Sequence, residues 1–149
     1  MKNAYFSLAV QTLVSGVIMY LVMFVMIDSL DSFFNNLNMF YMTLMMVTPM
    51  VVLMILAMMH MFKSSTVNII LIVASVVIFF GSFALIRTQT TIGNTAFIRS
   101  MVPHHSGAIL MCQKATITDG ELKSLCQEII KSQQQEIDQM KAILARLKT

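Results

Sequence analysis

Three long apolar runs occupy the first part of the chain. Residues 5–27 and 67–86 contain no charged side chain, and residues 39–62 contain none except the imidazole of His60. Each run exceeds the ~18 residues that a helix needs to cross a bilayer. The first run is also longer than the ~7–15-residue apolar core of a signal peptide, and no small-residue cleavage site follows it. The pattern therefore predicts three retained transmembrane helices over these runs, in a membrane region of residues 1–86.

A polar, glycine-containing segment, TQTTIGN, ends the apolar part and lies within a predicted linker over residues 87–94. After it, apolar positions recur every three or four residues, which is typical of a helix with one buried face. Asn94 or Thr95 is the expected N-cap of this helix. Pro103 falls inside the pattern, so we expect a kink or a restart of the helix there.

A second amphipathic helix follows the segment TITDG. Thr118 and Glu121 have the spacing of a capping box, which predicts a helix start near residue 119. No Pro or Gly follows Gly120, so one helix of ~27 residues is expected. The two helices form a predicted hairpin domain over residues 95–149, in which their apolar stripes pack against each other.

Polar side chains interrupt both stripes at matching heights. Gln133 continues the stripe of the second helix, and Glu136 lies on its edge. Folding the hairpin about its predicted turn brings this stretch level with His104 and His105. A polar group on a buried face costs stability unless it has a partner, so we expect Gln133 and Glu136 to orient an imidazole. Adjacent helix positions point ~100° apart, so the two histidines cannot both face the same seam.

Sulfur-containing side chains accompany the histidines. Thioethers, thiolates and imidazole form a soft ligand set that suits Cu(I) and, by the same chemistry, Ag(I). Structural zinc usually requires four Cys or His ligands, which makes it the weaker candidate. The alternative is that these Met and Cys residues are ordinary apolar core residues. The predicted metal ligands are Met101, His104, His105, Met111, Met140, Cys112 and Cys126.

Cys112 and Cys126 admit a second interpretation. They come level across the predicted hairpin, and two such cysteines can form a disulfide in an oxidising compartment. A disulfide would remove both as ligands without affecting the layer of Met and His side chains. The sequence leaves both interpretations open.

Two motifs in the tail occur in a fixed order. Met-x-Pro-His-His spans residues 101–105 with a methionine following at position 111, and Gln-x-x-Glu-Ile-x-x-Met spans residues 133–140. On these motifs the tail resembles domain-of-unknown-function family 305, over about fifty residues. The resemblance implies a helical, ferritin-like bundle, a copper-related role and an extracytoplasmic tail, since some members are periplasmic proteins that bind copper or silver and aid metal tolerance.

The chain departs from the family pattern in two ways. Family members often carry two hairpins and a secretion signal, whereas this chain has a single hairpin after three spans. A single hairpin exposes an apolar stripe, so we expect a homodimer or higher homo-oligomer that completes a four-helix bundle. The two cysteines are not part of the family's Met and His signature.

The second apolar run is rich in methionine. Residues 39–62 contain nine methionines, and five of these follow one another every four residues: Met42, Met46, Met50, Met54 and Met58. Together with His60 they form a candidate membrane path for Cu(I). The alternative is that these flexible apolar side chains simply fill a helix interface.

Composition and charge narrow the functional class. The chain is 57% hydrophobic and 11% charged, which is typical of a membrane protein. Lys2 and Lys63 lie on one side of the spans, so the N-terminus is predicted to be cytoplasmic and the hairpin extracytoplasmic, although Arg87 and Arg99 favour the opposite orientation. From residue 87 onward, eight Lys or Arg accompany five Asp or Glu. This evenly mixed surface is not a nucleic-acid-binding stripe.

These features predict an all-α membrane protein, with three transmembrane helices followed by an extracytoplasmic hairpin that binds Cu(I) or Ag(I) for copper homeostasis, tolerance or delivery. The expected partners are membrane lipid, a soft metal ion and further copies of the chain. No nucleophile–base pair is evident beside a substrate pocket, so an enzyme is not expected. Two alternatives are a copper transporter or transport accessory that uses the membrane methionines, and a structural oligomerisation module without a metal.

Overall fold

The computed structural model describes residues 2–147, with side chains from residue 4, and helices are the only regular secondary structure in this part. The predicted all-α class is therefore confirmed. Residues 1, 148 and 149, which belong to the predicted domains, lie outside the described part. The elements are α1 (Lys2–Val22), a short 3-10 helix (Leu30–Ser32), α2 (Leu37–Ala57), α3 (Ser65–Thr88), α4 (Asn94–Lys114) and α5 (Gly120–Arg146).

The helices divide into two compact units. The first contains α1 and residues 38–91, which hold nearly all of α2 and the whole of α3. The second contains residues 23–37, which we call the connecting segment, and the chain from Ile92 onward. The second unit therefore combines the α4–α5 hairpin with a segment that lies far away from it in the sequence.

Helices α1, α2 and α3 are each long and apolar enough to cross a membrane. Large apolar side chains dominate their outer surface; Leu13, for example, is 69% exposed and Val77 is 65% exposed. Such a surface suits lipid and is unusual for a protein in water. The small interior of this unit is formed by Leu8, Val47, Val51, Ile55 and Phe62.

Polar side chains join the three helices near their ends. The Tyr5 hydroxyl donates to Oδ1 of Asn68 at 2.9 Å, and Nδ2 of Asn68 donates to the Phe62 carbonyl at 2.7 Å. At the opposite ends of α2 and α3, the side-chain amides of Asn38 and Gln89 exchange two hydrogen bonds, of 3.2 and 3.0 Å. Helix ends are where a membrane helix meets water and headgroups, so these polar groups are least costly there.

Two of the apolar runs extend beyond their helices. The first run was predicted to be helical to residue 27, but α1 ends at Val22 and residues 23–26 form a turn. Phe24 in this turn is buried in the second unit. Likewise, α2 ends at Ala57, and Phe62 in the following turn is buried in the first unit. Hydropathy alone does not distinguish a residue that faces lipid from one that enters a protein core, which explains both overestimates.

The ends of the hairpin helices differ in detail from the prediction. The predicted cap Thr118 is wrong, because α5 is capped by Asp119, whose Oδ1 accepts a hydrogen bond from the Leu122 backbone N–H at 2.8 Å. The predicted length of ~27 residues is confirmed. The predicted N-cap of α4, Asn94 or Thr95, is also wrong, because the helix starts at Asn94 and its N-cap is Gly93, which offers no side-chain cap. Helix α4 continues through the buried Pro103 and does not restart there.

The connecting segment packs on the side of α4 that carries Ser106 and Gly107. The Asp28 backbone N–H donates to Oγ of Ser106 at 2.7 Å. A Cβ atom at Gly107 would lie 3.4 Å from the Met26 carbonyl oxygen, at the lower limit of ordinary contact, so a branched side chain would press on the connecting segment. Phe34 of the same segment packs against the hairpin core.

The hairpin core is small and continuous, and its buried members are Ile98, Val102, Ile109, Ile137 and Leu144. With α5 on one side and the connecting segment on another, most of the α4 stripe is buried within a single chain. The homo-oligomer was predicted because a single hairpin exposes an apolar stripe. It stays a prediction, although the connecting segment already covers part of α4.

Candidate metal site in the hairpin

A histidine and a carboxylate meet across the hairpin. Nδ1 of His105 on α4 lies 3.0 Å from Oε2 of Glu136 on α5. His105 is buried, with 8% of its surface exposed, whereas the Glu136 side chain is 51% exposed. The Glu136 carboxylate therefore reaches His105 from the solvent-exposed edge of the seam. The two residues lie at the same height in the hairpin, as the predicted pairing of α4 with α5 requires.

The buried nitrogen of His105 is not fully satisfied by this contact. The two atoms are within ion-pair distance but are not aligned as a hydrogen bond, and Nδ1 has no hydrogen-bond partner among residues 2–147. A buried polar atom without a hydrogen bond costs free energy and usually indicates a missing partner or a functional role. Nδ1 of His105 therefore faces the Glu136 carboxylate without a completed hydrogen bond.

Burial controls the charge of this imidazole. Burial lowers the pKa of His105 below its usual value of 6.5, the Glu136 carboxylate acts in the opposite direction, and the neighbouring His104 lowers it further. The net shift is downward, so desolvation outweighs the attraction to the carboxylate. A lowered pKa keeps His105 neutral at neutral pH, which is the state that binds a metal.

The two adjacent histidines have different surroundings. Their ring centroids are 6.0 Å apart with planes at 61°, and His104 is exposed while His105 is buried. Met111 follows His104 by seven residues, nearly the same helix face, and is 52% exposed. The structure therefore brings His105 to the seam but leaves His104 and Met111 on the outer surface of α4.

The two remaining methionines of the predicted set lie near the seam. Met101 and Met140 are both half-buried, and Met140 packs against the hairpin core. Each is four residues from a member of the His105–Glu136 contact, on the side away from the hairpin tip. Gln133 is half-buried one turn nearer the tip. One imidazole, one carboxylate and two thioethers thus lie within about one helical turn of each other along the seam, roughly 5.4 Å.

The two cysteines are joined as a disulfide, the second of the two interpretations that the sequence left open. Cys112 and Cys126 form a disulfide that joins α4 to α5, with their Cα atoms 5.3 Å apart. A disulfide sulfur carries no thiolate charge, and the thiolate is the form of cysteine that binds metals. In this oxidised state the pair therefore cannot act as the thiolate ligands that the sequence suggested.

Hard or charged ligands are scarce around the seam. Within residues 2–147, no group of three or more His, Cys, Asp or Glu side chains converges on one position that could hold a metal ion. A metal site that includes His105 would therefore need ligands of another kind, and the thioethers of Met101 and Met140 are of the kind that suits a soft monovalent ion.

The membrane methionines do not form one continuous face. A four-residue step advances a helix by ~400°, so a ladder with this spacing turns by ~40° at each step. Met42 and Met46 are accordingly exposed, at 40% and 47%. The other three members, Met50, Met54 and Met58, are half-buried and pack against the core of the first unit. His60 is exposed in the turn after α2.

Two small residues beside the histidines hold the connecting segment against α4 and were not predicted from the sequence. Ser106 is 1% exposed and accepts the hydrogen bond from Asp28, and Gly107 lies directly against Met26. The signal in the sequence is the adjacent Ser and Gly within the helix, since small residues permit a close neighbour. The identity of that neighbour could not have been predicted from local pattern.

Comparisons with known proteins give two similarities. The model of the family described as "Domain of unknown function (DUF305)" matches residues 84–144. "Uncharacterized protein L153" of Acanthamoeba polyphaga mimivirus is 40% identical over 112 residues, which cover 73% of this chain and 71% of that protein. The second similarity extends beyond the hairpin, since 112 residues are more than the family match contains. No solved structure matches the chain.

Proposed function

The chain belongs to the DUF305 family, and on this premise we propose that its hairpin binds Cu(I) or Ag(I) at the end of a membrane anchor. One observation carries the proposal, the contact of His105 with Glu136 at 3.0 Å. A histidine that binds a metal through one ring nitrogen usually presents the other to a carboxylate or carbonyl, which orients the ring. With Nδ1 facing Glu136, Nε2 is the nitrogen assigned to the metal.

The neighbouring thioethers favour a soft ion. Met101 and Met140 lie one turn from the His105–Glu136 contact, and thioether sulfur prefers Cu(I) over harder divalent ions. His104 and Met111 are exposed on the outer face of α4, where they suit capture or exchange of an ion rather than its retention. Buffering, tolerance and delivery all require these ligands, so the proposal covers a general role in copper homeostasis.

An extracytoplasmic hairpin is part of the proposal. The Lys residues near the spans favour a cytoplasmic N-terminus, and three spans then put the hairpin on the opposite side. The Cys112–Cys126 disulfide supports the same side, because disulfides persist mainly in oxidising compartments.

An anaerobic Cu(I) titration of the detergent-purified full chain, in competition with a chelator of known affinity, tests the metal site. The variant is His105→Ala and its matched control is His60→Ala, which removes an exposed imidazole from the other unit. We expect His105→Ala to weaken Cu(I) binding at least about tenfold and His60→Ala to leave it unchanged. His104→Ala reports separately on the exposed ring.

The carboxylate has its own test. Glu136→Gln keeps the size of the side chain but removes its charge, and we expect a loss of roughly 10- to 100-fold in Cu(I) affinity. Glu128→Gln, an exposed position on the same helix, is the control. If the chain binds no Cu(I), or if His105→Ala binds it as tightly as the parent, the metal site is wrong. A His105→Ala chain that keeps its affinity but changes its assembly in light scattering would favour the oligomerisation module.

A further inference from the structure

The tip of the hairpin holds a pair of sulfur atoms that the proposed His and Met site does not use. Cys112 lies seven residues after His105 on α4, which is about 10.5 Å along the helix. Cys126 is 8% exposed, and Cys112 is half-buried. Cys112 is thus the more accessible residue of the disulfide.

The two helices hold these positions together independently of the disulfide bond. Ile109 of α4 and Ile137 of α5 belong to one buried cluster, and α4 and α5 are in contact along the hairpin. The Cα atoms of Cys112 and Cys126 are 5.3 Å apart. After reduction, the hairpin core therefore keeps the two thiols facing each other across the seam.

A facing pair of thiols has a clear ligand preference. Thiolates are soft ligands that select Cu(I), and Cu(I) and Ag(I) accept two ligands in a line. Zinc requires four, and the described residues offer no third His, Cys, Asp or Glu to this pair. The ligand class that fits is a soft, two-coordinate monovalent ion.

We propose that Cys112 and Cys126 form a second Cu(I) site that is closed by the disulfide and opened by reduction. A small thiolate attacks Sγ of the half-buried Cys112, forms a mixed disulfide with it and releases Cys126 as a thiolate. A second small thiol then attacks the sulfur of the first and releases Cys112. The two electrons reduce the protein disulfide, and the small thiols leave as their own disulfide.

Metal binding completes the sequence without a further redox change. Cu(I) binds the sulfur atoms of Cys112 and Cys126, and both thiol protons are lost to solvent. The copper stays Cu(I) throughout. This second site does not depend on the proposed His105 site, because neither set of ligands includes a residue of the other.

Copper stoichiometry in the two redox states tests this inference. The full chain in detergent is prepared oxidised, or reduced with a small dithiol that is then removed by anaerobic desalting, and each form is titrated with Cu(I) against a chelator. We expect the reduced chain to bind one more Cu(I) than the oxidised chain. X-ray absorption at the copper edge of the reduced His105→Ala chain, loaded with one Cu(I), should report two sulfur neighbours.

Two variants separate the sites. The double variant Cys112→Ser, Cys126→Ser should bind the same number of ions with and without the dithiol treatment. His105→Ala should keep the redox-dependent ion, whether or not it loses the other one, so failure of the His105 site is distinguishable from failure of this one. Circular dichroism of the reduced chain checks that α4 and α5 remain helical.

Three results would overturn the inference. They are equal stoichiometry in the oxidised and reduced parent chain, an extra ion that persists in the double Cys variant, and a loss of helicity on reduction without an added ion. In each case the disulfide is a structural cross-link only.

Discussion

His105 is the residue at which burial and charge act in opposite directions. Its ring is enclosed between α4 and α5, beside the Glu136 carboxylate and next to the exposed His104. Burial lowers its pKa more than the carboxylate raises it. Because a lowered pKa means that the folded state binds a proton less readily than the unfolded state, protonation opposes folding at this position.

The hairpin should therefore lose stability as the solution becomes acidic. The neutral His105 ring makes its full contribution to the free energy of unfolding above the unfolded-state pKa of 6.5. This contribution declines as the pH falls through 6.5 toward the lowered pKa of the folded state. Thermal unfolding followed by circular dichroism at about pH 7.5 and about pH 5.5 measures this loss. His105→Gln should reduce the loss, while His60→Gln should not.

A substitution at Glu136 tests the direction in which the carboxylate shifts the pKa of His105. Glu136→Gln removes the carboxylate that raises the imidazole pKa, so the pKa of His105 should fall further, as measured by NMR titration of the ring protons. A rise in that pKa, or an acid sensitivity that is unchanged in His105→Gln, would contradict the assignment.

At the scale of the element, the start of α5 depends on a single side chain. Asp119 accepts the Leu122 N–H at 2.8 Å and also puts a negative charge at the positive end of the helix. Thr118, which the capping-box spacing favoured, lies one residue before the N-cap. The choice matters for the hairpin because the cap sets where the chain reverses between the two helices.

Asp119→Ala should destabilise the hairpin by about 1 kcal/mol, the usual cost of losing an N-cap. Thr118→Ala is the matched control and should change stability by less than about 0.5 kcal/mol. Urea or thermal unfolding of the two variants under the same detergent conditions measures both values. Equal effects of the two substitutions, or a larger effect at Thr118, would contradict Asp119 as the N-cap and favour Thr118.

At the scale of the whole molecule, the connecting segment covers part of a hairpin that was predicted to need a second copy for its burial. It donates to Ser106, approaches Gly107 and adds Phe34 to the hairpin core. The single hairpin is thus supported by a third piece of the same chain. Residues between the first two apolar helices consequently contribute to the stability of the unit that carries the candidate metal site.

Gly107→Val should displace the connecting segment, because even a Cβ atom would lie 3.4 Å from the Met26 carbonyl oxygen and the branched methyl groups extend further. The expected cost is about 1–3 kcal/mol, typical of overpacking. Gly120→Val is the control, since nothing lies within 4 Å of a Cβ atom there. Light scattering should also show stronger self-association for Gly107→Val, as the α4 face is uncovered. Unchanged stability and assembly would mean that this contact is dispensable.

Much of this architecture follows from local pattern. Continuous apolar runs suffice for three helices of membrane-spanning length, and a 3.6-residue period with a polar turn suffices for the hairpin. The register of that hairpin also follows, because two helices joined by a short turn must run antiparallel with matched heights. This is why His105 was expected level with Glu136, and Cys112 level with Cys126.

What the sequence determined by itself was therefore the helices, their order and the register of the hairpin, since each depends on residues close together in the chain. Tertiary structure alone decided that Phe24 and Phe34 enter the hairpin unit, that His105 faces the seam while His104 faces outward, and that the membrane methionines divide between two environments. These outcomes depend on which distant surfaces pack together, and an apolar side chain has the same pattern whether it meets lipid, a neighbouring helix or a returning loop.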